Sequence, residues 1–142
     1  METCRIYLSG GMSGLTLEEQ NKWRTKIIDA IKFGDYNYEK KPLFFNPVDY
    51  YNTEEENYKT EKEIMEFDLY NLRKSDVVIV NFNAPNSLGT AMELMLAKEN
   101  HIPVIAFGAN GKQIHSWLIE CCTRICEDIR ETVEHTVEFY LN

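Results

Sequence analysis

The chain has 142 residues, a length that suits one compact domain and leaves little room for a second. Its formal net charge of −8 argues against a nucleic-acid polymer as ligand, because phosphate-backbone binding draws on clustered Lys and Arg. A small anion stays within reach, since backbone N–H groups at a helix start hold a phosphate without net positive charge.

The start, METCRIYLSG, lacks a basic segment leading into an apolar stretch and does not read as a secretion signal, which points to the cytoplasm. Val77–Val80, among the longest apolar runs, is strand-sized and far short of the roughly 20 residues of a membrane span. Cys4, Cys121, Cys122 and Cys126 lack the paired spacing of a zinc site, and no nearby His completes a ligand set. They read as free thiols in a reducing compartment. No metal or organic cofactor is expected.

Arg5–Leu8 is a short β-rich run, closed by the glycine-bearing loop Ser9–Gly14. From Leu17 to about Phe33, Leu17, Trp23, Ile27, Ile28 and Ile31 form a helical stripe, and Gly34 supplies the stop. Leu43–Phe45 reads as a second strand ended by Asn46–Pro47. The acidic, tyrosine-rich stretch Val48–Lys59 has no period and reads as a loop placed to line a site or act as a lid. Thr60 opens a helix to about Lys74, with Glu63 as its capping-box partner.

Asp76–Asn81 is a continuous apolar strand of the kind buried on both faces of a parallel sheet. The loop Phe82–Leu88 leads into a helix from Gly89 to about Asn100. Pro103–Phe107 is the next strand, Gly108–Lys112 a turn, and Gln113–Cys122 a helix. A short strand is expected near Arg124–Cys126, and Glu131–Leu141 is a last amphipathic helix. This alternation predicts a Rossmann-like parallel sheet of about five strands with helices on both faces. Right-handed crossovers make the flavodoxin-like order 2-1-3-4-5 the simplest topology.

In such a fold ligands bind beyond the carboxyl ends of the strands. Ser9–Gly14, Asn46–Asn52, Phe82–Gly89 and the loop after Phe107 are expected to converge there. Gly10, Gly11 and Gly14 let the first of these approach a ligand closely. Glu93 is expected in about the first turn of its helix, where the dipole favours the ionised carboxylate that a nucleophile needs. Position alone also fits an acid placed for helix stability. Asp68 is carried toward the ligand edge by a helix antiparallel to the strands, and Tyr7 lies just below the glycine loop. Their plainer uses are a solvated acid and a core tyrosine.

Together these residues match a pattern: IYLSG at 6–10, FNP at 45–47, DLYNLRKSDVVIV at 68–80 and SLGTAMELMLAKENHIPVIAF at 87–107. The chain resembles the nucleoside 2-deoxyribosyltransferase superfamily, which includes 2'-deoxynucleoside 5'-phosphate N-hydrolases, over roughly Arg5 to Trp117. The specific elements are the spacing from Asp68 to Asp76 and the G-T-x-x-E ending at Glu93. The resemblance implies Glu93 as nucleophile, Asp68 as partner or proton source for the leaving base, and Tyr7 as the group orienting Glu93. Ser9, Gly10, Gly11, Met12, Asn46, Ser87, Leu88 and Gly89 are then expected to contact a small deoxynucleotide or deoxynucleoside.

Two departures stand out. Gly11 replaces a proline that many relatives carry. Position 87 is serine, as in the monophosphate hydrolases, where transferases acting on free nucleosides usually carry aspartate. A serine hydroxyl and the following N–H groups can donate to a phosphate that an aspartate would repel; Ser87 can also be a helix N-cap. The hydrolase relatives borrow a serine from a neighbouring subunit. Ser116 matches that place, so a homodimer or larger homo-oligomer is expected.

The leading expectation is hydrolysis of 2'-deoxynucleoside 5'-monophosphates through a deoxyribosyl ester on Glu93. Base exchange on free deoxynucleosides is the alternative, and a non-catalytic nucleotide-binding module is a third. The lysine-decarboxylase-like cytokinin-activating hydrolases share G-T-x-x-E, but they carry a P-G-G-x before it where this chain has Pro85-Asn86-Ser87-Leu88.

Overall fold

A computed structural model describes residues 1–51 and 57–142. Asn52 and the part of the expected loop at 53–56 lie outside the described residues. The chain alternates β1 (Thr3–Gly10), α1 (Leu17–Phe33), β2 (Lys41–Phe45), a 3-10 turn (Pro47–Asp49), α2 (Glu61–Arg73), β3 (Val77–Asn81), α3 (Leu88–Glu99), β4 (Val104–Phe107), α4 (Ser116–Glu120), β5 (Arg124–Ile125) and α5 (Ile129–Tyr140). All neighbouring strands pair in parallel, in the order β2-β1-β3-β4-β5, as the alternation predicted.

The strand period of two divides the core into two layers. Ile6, Leu8, Val77, Ile79, Ile105 and Phe107 face α1 and α5, where they meet Trp23, Ile27, Ile31, Val133 and Val137. Tyr7, Val78, Val80, Val104 and Ala106 face the opposite side and pack on Leu72 of α2, Leu94 and Ala97 of α3 and Leu118 of α4. Tyr7 and Ser9 therefore project to the α2–α3 side from alternate positions of one strand.

Several boundaries move. β1 begins at Thr3 and runs to Gly10, so Ser9 and Gly10 belong to the strand rather than the loop. β2 starts at Lys41, two residues before the expected start. The predicted helix Gln113–Cys122 shrinks to Ser116–Glu120, because His115 caps it by accepting from the Trp117 N–H at 3.1 Å. The last helix starts earlier, at Ile129, capped by Asp128. Thr60 and Glu63 form the expected capping box, and Thr16 and Glu19 form a second one on α1. Among the described residues, no helix is long and apolar enough to cross a membrane.

Candidate active site

A cleft of about 740 Å³ opens at the carboxyl edge of the sheet between α2, α3 and the end of β1. Gly10, Met12 and Ser13 line one wall, Ile64, Met65, Asp68 and Leu69 of α2 another. Ala84 to Thr90, with Met92 and Glu93, close the third. Glu61 stands at the rim, and among the described residues no Lys, Arg or His lines the cleft.

Glu93 is the sixth residue of α3, not a first-turn acid, because the helix begins at Leu88. It is half-buried at the cleft floor, and its protonation is governed chiefly by that burial rather than by the helix dipole. Desolvation pushes its carboxyl up to about 7, against the lowering influence of Tyr7, Arg24 and Ser9; Asp68 adds to the rise. The expectation of a carboxylate held ionised by the helix end is thus corrected.

Ser9 Oγ donates to Glu93 Oε1 at 3.2 Å. Ser9 is buried and serves Glu93, not the cleft surface. Tyr7 is fully buried, with a hydroxyl that has no hydrogen-bond partner of good geometry. It lies near enough to Glu93 that each perturbs the other: burial and then the Glu93 charge hold the Tyr7 phenol well above its usual range.

Asp68, from the middle of α2, faces Glu93 across the cleft. Burial pushes its carboxyl up to about 6, while the hydroxyl of Tyr51, donating to Oδ1 at 2.9 Å, draws it down. Burial thus brings both carboxyls toward neutrality from the ordinary carboxylate range. A carboxylate and a carboxylic acid side by side are what a glycosidic bond needs, one to attack carbon and one to protonate the leaving group.

Ser87 caps α3, its Oγ accepting from Thr90 N at 3.3 Å and from Thr90 Oγ1 at 3.2 Å. Its own O–H remains to donate. Leu88 and Gly89 hold the first two helical positions, whose N–H groups have no intrahelical acceptor. A Cβ added at Gly89 would meet nothing nearer than Ser87 Oγ at 4.0 Å, so packing does not require glycine there.

Three expected contacts lie elsewhere. Asn46 is buried and spends its side chain internally: its Oδ1 caps the 3-10 turn through Val48 N, and its Nδ2 donates to Asn21 Oδ1 at 2.9 Å. Gly11 packs behind the cleft wall, where an added Cβ would sit 2.5 Å from the Ala84 methyl. Ser116 is exposed at the start of α4 and does not line its own chain's cleft. The loop after Phe107 borders a separate cleft on the α1–α5 face, with Trp23 and Arg130.

Sequence reasoning missed Tyr51, which lies in the period-free stretch after β2, and Arg24. Arg24 is fully buried on α1, with Nε 3.3 Å from the Leu8 carbonyl and Nη2 3.3 Å from that of Gly10.

A doubly wound sheet with two carboxyl groups lining a cleft at its carboxyl edge suits an enzyme that cleaves or transfers glycosyl groups. The chain belongs to the nucleoside 2-deoxyribosyltransferase family, whose sequence profile matches residues 6–138. The chemistry that follows from membership is glycosyl transfer or cleavage at an N-glycosidic bond.

No curated protein matches the sequence significantly. Among solved structures, a 2-deoxyribosyltransferase from Bacillus psychrosaccharolyticus is similar, at 19% identity and a TM-score of 0.70 over 92% of this chain and 90% of that one. A conserved protein from Enterococcus faecalis gives 16% and 0.69 over 93% and 96%. A CMP N-glycosidase from Clostridium botulinum gives 15% and 0.56 over 95% and 99%. At these identities the likeness is one of fold.

Proposed function

We propose that the protein hydrolyses the N-glycosidic bond of 2'-deoxynucleoside 5'-monophosphates, with Glu93 as nucleophile. The observation that carries this reading is that Glu93 of α3 and Asp68 of α2, far apart in sequence, line one cleft at the carboxyl edge of the sheet. Glu93 attacks the anomeric carbon as the bond to the base breaks. The departing base nitrogen takes the bond's electron pair and a proton from Asp68, leaving a deoxyribosyl ester on Glu93. Asp68, now a carboxylate, accepts a proton from water as the water oxygen attacks the same carbon. Deoxyribose 5-phosphate leaves and Glu93 is restored. Ser9 and Tyr7 hold and tune the nucleophile.

The 5'-phosphate is assigned to the free O–H of Ser87 and the N–H groups of Leu88 and Gly89. The glycine's bare surface supports that assignment, because it lets a ligand reach the backbone. A second reading, base exchange on free deoxynucleosides, is favoured by the absence of any cation among the described cleft-lining residues and by Glu61 at the rim. In that reading a second base, not water, resolves the ester.

A homodimer or larger homo-oligomer completes the site. α3 exposes Leu88, Met92 and Met95 along one face, and Trp117 beside Ser116 is 77% exposed. An apolar stripe flanking a cleft suits burial against a second copy.

The test is a side-by-side assay of each deoxynucleoside, its 5'-monophosphate and the matching ribonucleotide, with and without an added free base. Release of base from deoxynucleoside monophosphates by wild type, and none by a folded Glu93→Ala protein, is the expected result. Faster cleavage of the ribonucleotide refutes the deoxy assignment. Binding without turnover of any substrate makes the protein a nucleotide-binding module.

A further inference from the structure

Arg24 heads the large side chains that are fully buried, yet the mechanism above gives it no part. Its placement follows from a mismatch in strand length. β2 ends at Phe45, paired with Tyr7, whereas β1 continues to Gly10 and so lacks a neighbour on that side. The carbonyls of Leu8 and Gly10, two residues apart, point to one edge of this overhang. Arg24 Nε and Nη2 donate to them, both at 3.3 Å, and Nη1 donates to the Gln20 carbonyl of its own helix.

Buried guanidinium groups are ordinarily paired with carboxylates. Among the described residues none lies within ion-pair distance of Arg24. Burial draws its pKa down to about 10, which leaves it charged at neutral pH. The groups that counter this are the carboxyl of Glu93 first, then Tyr7 and Asp68, all of them in the candidate site.

We propose that Arg24 is a positioning residue of this site, holding the overhanging end of β1 that presents Ser9 to Glu93 and supplying a fixed positive charge to the nucleophile. This inference rests on the reading of Glu93 as nucleophile. The groups that face Glu93 are Tyr7 and Ser9 from β1, Asp68 from α2, Tyr51 from the segment after β2, and Arg24 from α1. Arg24 is the cation of this set. Burial and Asp68 both drive Glu93 toward its protonated form, and Arg24 opposes them. Without the guanidinium, Glu93 takes up its proton at higher pH and fewer molecules carry a nucleophile at neutrality.

The experiment is a carboxyl-carbon NMR titration of Glu93, its resonance identified by loss in Glu93→Gln, on wild type, Arg24→Gln, Arg24→Met and Arg24→Lys. Gln keeps a neutral donor for the carbonyls and removes the charge; Lys keeps the charge and removes the fork. The Glu93 midpoint should rise by about one unit or more in the Gln and Met variants, and stay within about half a unit in Lys. kcat/KM at pH 7 should fall about fivefold in the Gln and Met variants and hold in Lys, in step with the Glu93 midpoint.

An unmoved midpoint in folded Arg24→Gln overturns the proposal. Should only Arg24→Lys fold, a rise of a full unit there overturns it equally. Wild type that titrates as expected but cleaves no substrate refutes the glycosidic reading of the site and leaves the coupling of Arg24 to Glu93 intact.

Discussion

Ser9 Oγ reaches Glu93 Oε1 at 3.2 Å across 84 residues of sequence, tying the end of β1 to the second turn of α3. A bond from a hydroxyl to a carboxylate oxygen favours the ionised form. Here it offsets only part of a larger opposing effect, the desolvation of the same carboxyl. The site thus holds the proposed nucleophile in an environment that resists its charge, and this conflict has measurable results.

Glu93→Gln should abolish turnover while stabilising the fold at alkaline pH. The carboxyl stands at about 7 in the folded protein against an ordinary 4.5. Between those values the native state binds more protons than the unfolded one, so the group's destabilising effect grows as pH rises through the window and is complete above 7. The ceiling is about 3 kcal/mol. Tm of Glu93→Gln should exceed wild type clearly at pH 8 and little at pH 5. Equal differences at both values would contradict the burial account.

Tyr51→Phe removes the hydrogen bond that favours ionised Asp68, so the Asp68 carboxyl should rise above about 6. If Asp68 is the proton source, the alkaline limb of kcat/KM moves to higher pH by about half to one unit, because the acid form persists longer. A pH–rate profile of the two proteins reads this directly. An alkaline limb that does not move removes Asp68 from the acid role.

Gly89→Ala should separate stability from binding. Replacing glycine inside a helix gains roughly 0.5–1 kcal/mol, and the added methyl meets no protein atom closer than 4.0 Å. The same methyl intrudes on the ligand side, so KM for the monophosphate should rise although Tm rises too. Ser87→Asp should shift preference toward the free nucleoside by at least about tenfold in kcat/KM, through a lost donor and added repulsion. If wild type already prefers the free nucleoside, Ser87 is a helix cap alone.

Trp117→Glu combined with Met95→Lys should convert the assembly to monomers in a sedimentation run at micromolar concentration. Activity should fall with it if, as proposed, Ser116 completes a neighbour's cleft. A wild-type monomer with full activity would overturn the oligomer.

The sheet was legible because burial on both faces leaves unbroken apolar runs such as Val77–Val80, and the helices between them fix the order. Asp68 and Glu93 were singled out through the family resemblance, on the spacing from Asp68 to Asp76 and the G-T-x-x-E ending at Glu93, since position alone fitted a solvated acid and a helix-stabilising one as well. Asn46 was misjudged because a polar residue at a strand end looks the same in sequence whether it caps a turn or meets a ligand. Tyr51 gave no signal, since its bond to Asp68 depends on the path of an aperiodic loop. Arg24 did give one that went unread: it stands three, four and seven residues before Ile27, Ile28 and Ile31, on the buried stripe of α1.

The bare Cα of Gly11 against the Ala84 methyl has a consequence for anyone exchanging segments between relatives of this chain. A proline at position 11, where many relatives carry one, brings a Cβ to within 2.5 Å of that methyl. Transplanting a Gly-Pro loop after β1 would therefore push the segment after β3 outward, and with it Ser87 and the start of α3. A side chain at position 11 and the methyl at position 84 compete for one volume. Chimeras that swap the first loop alone should show displaced substrate preference without any change in a residue that touches the substrate.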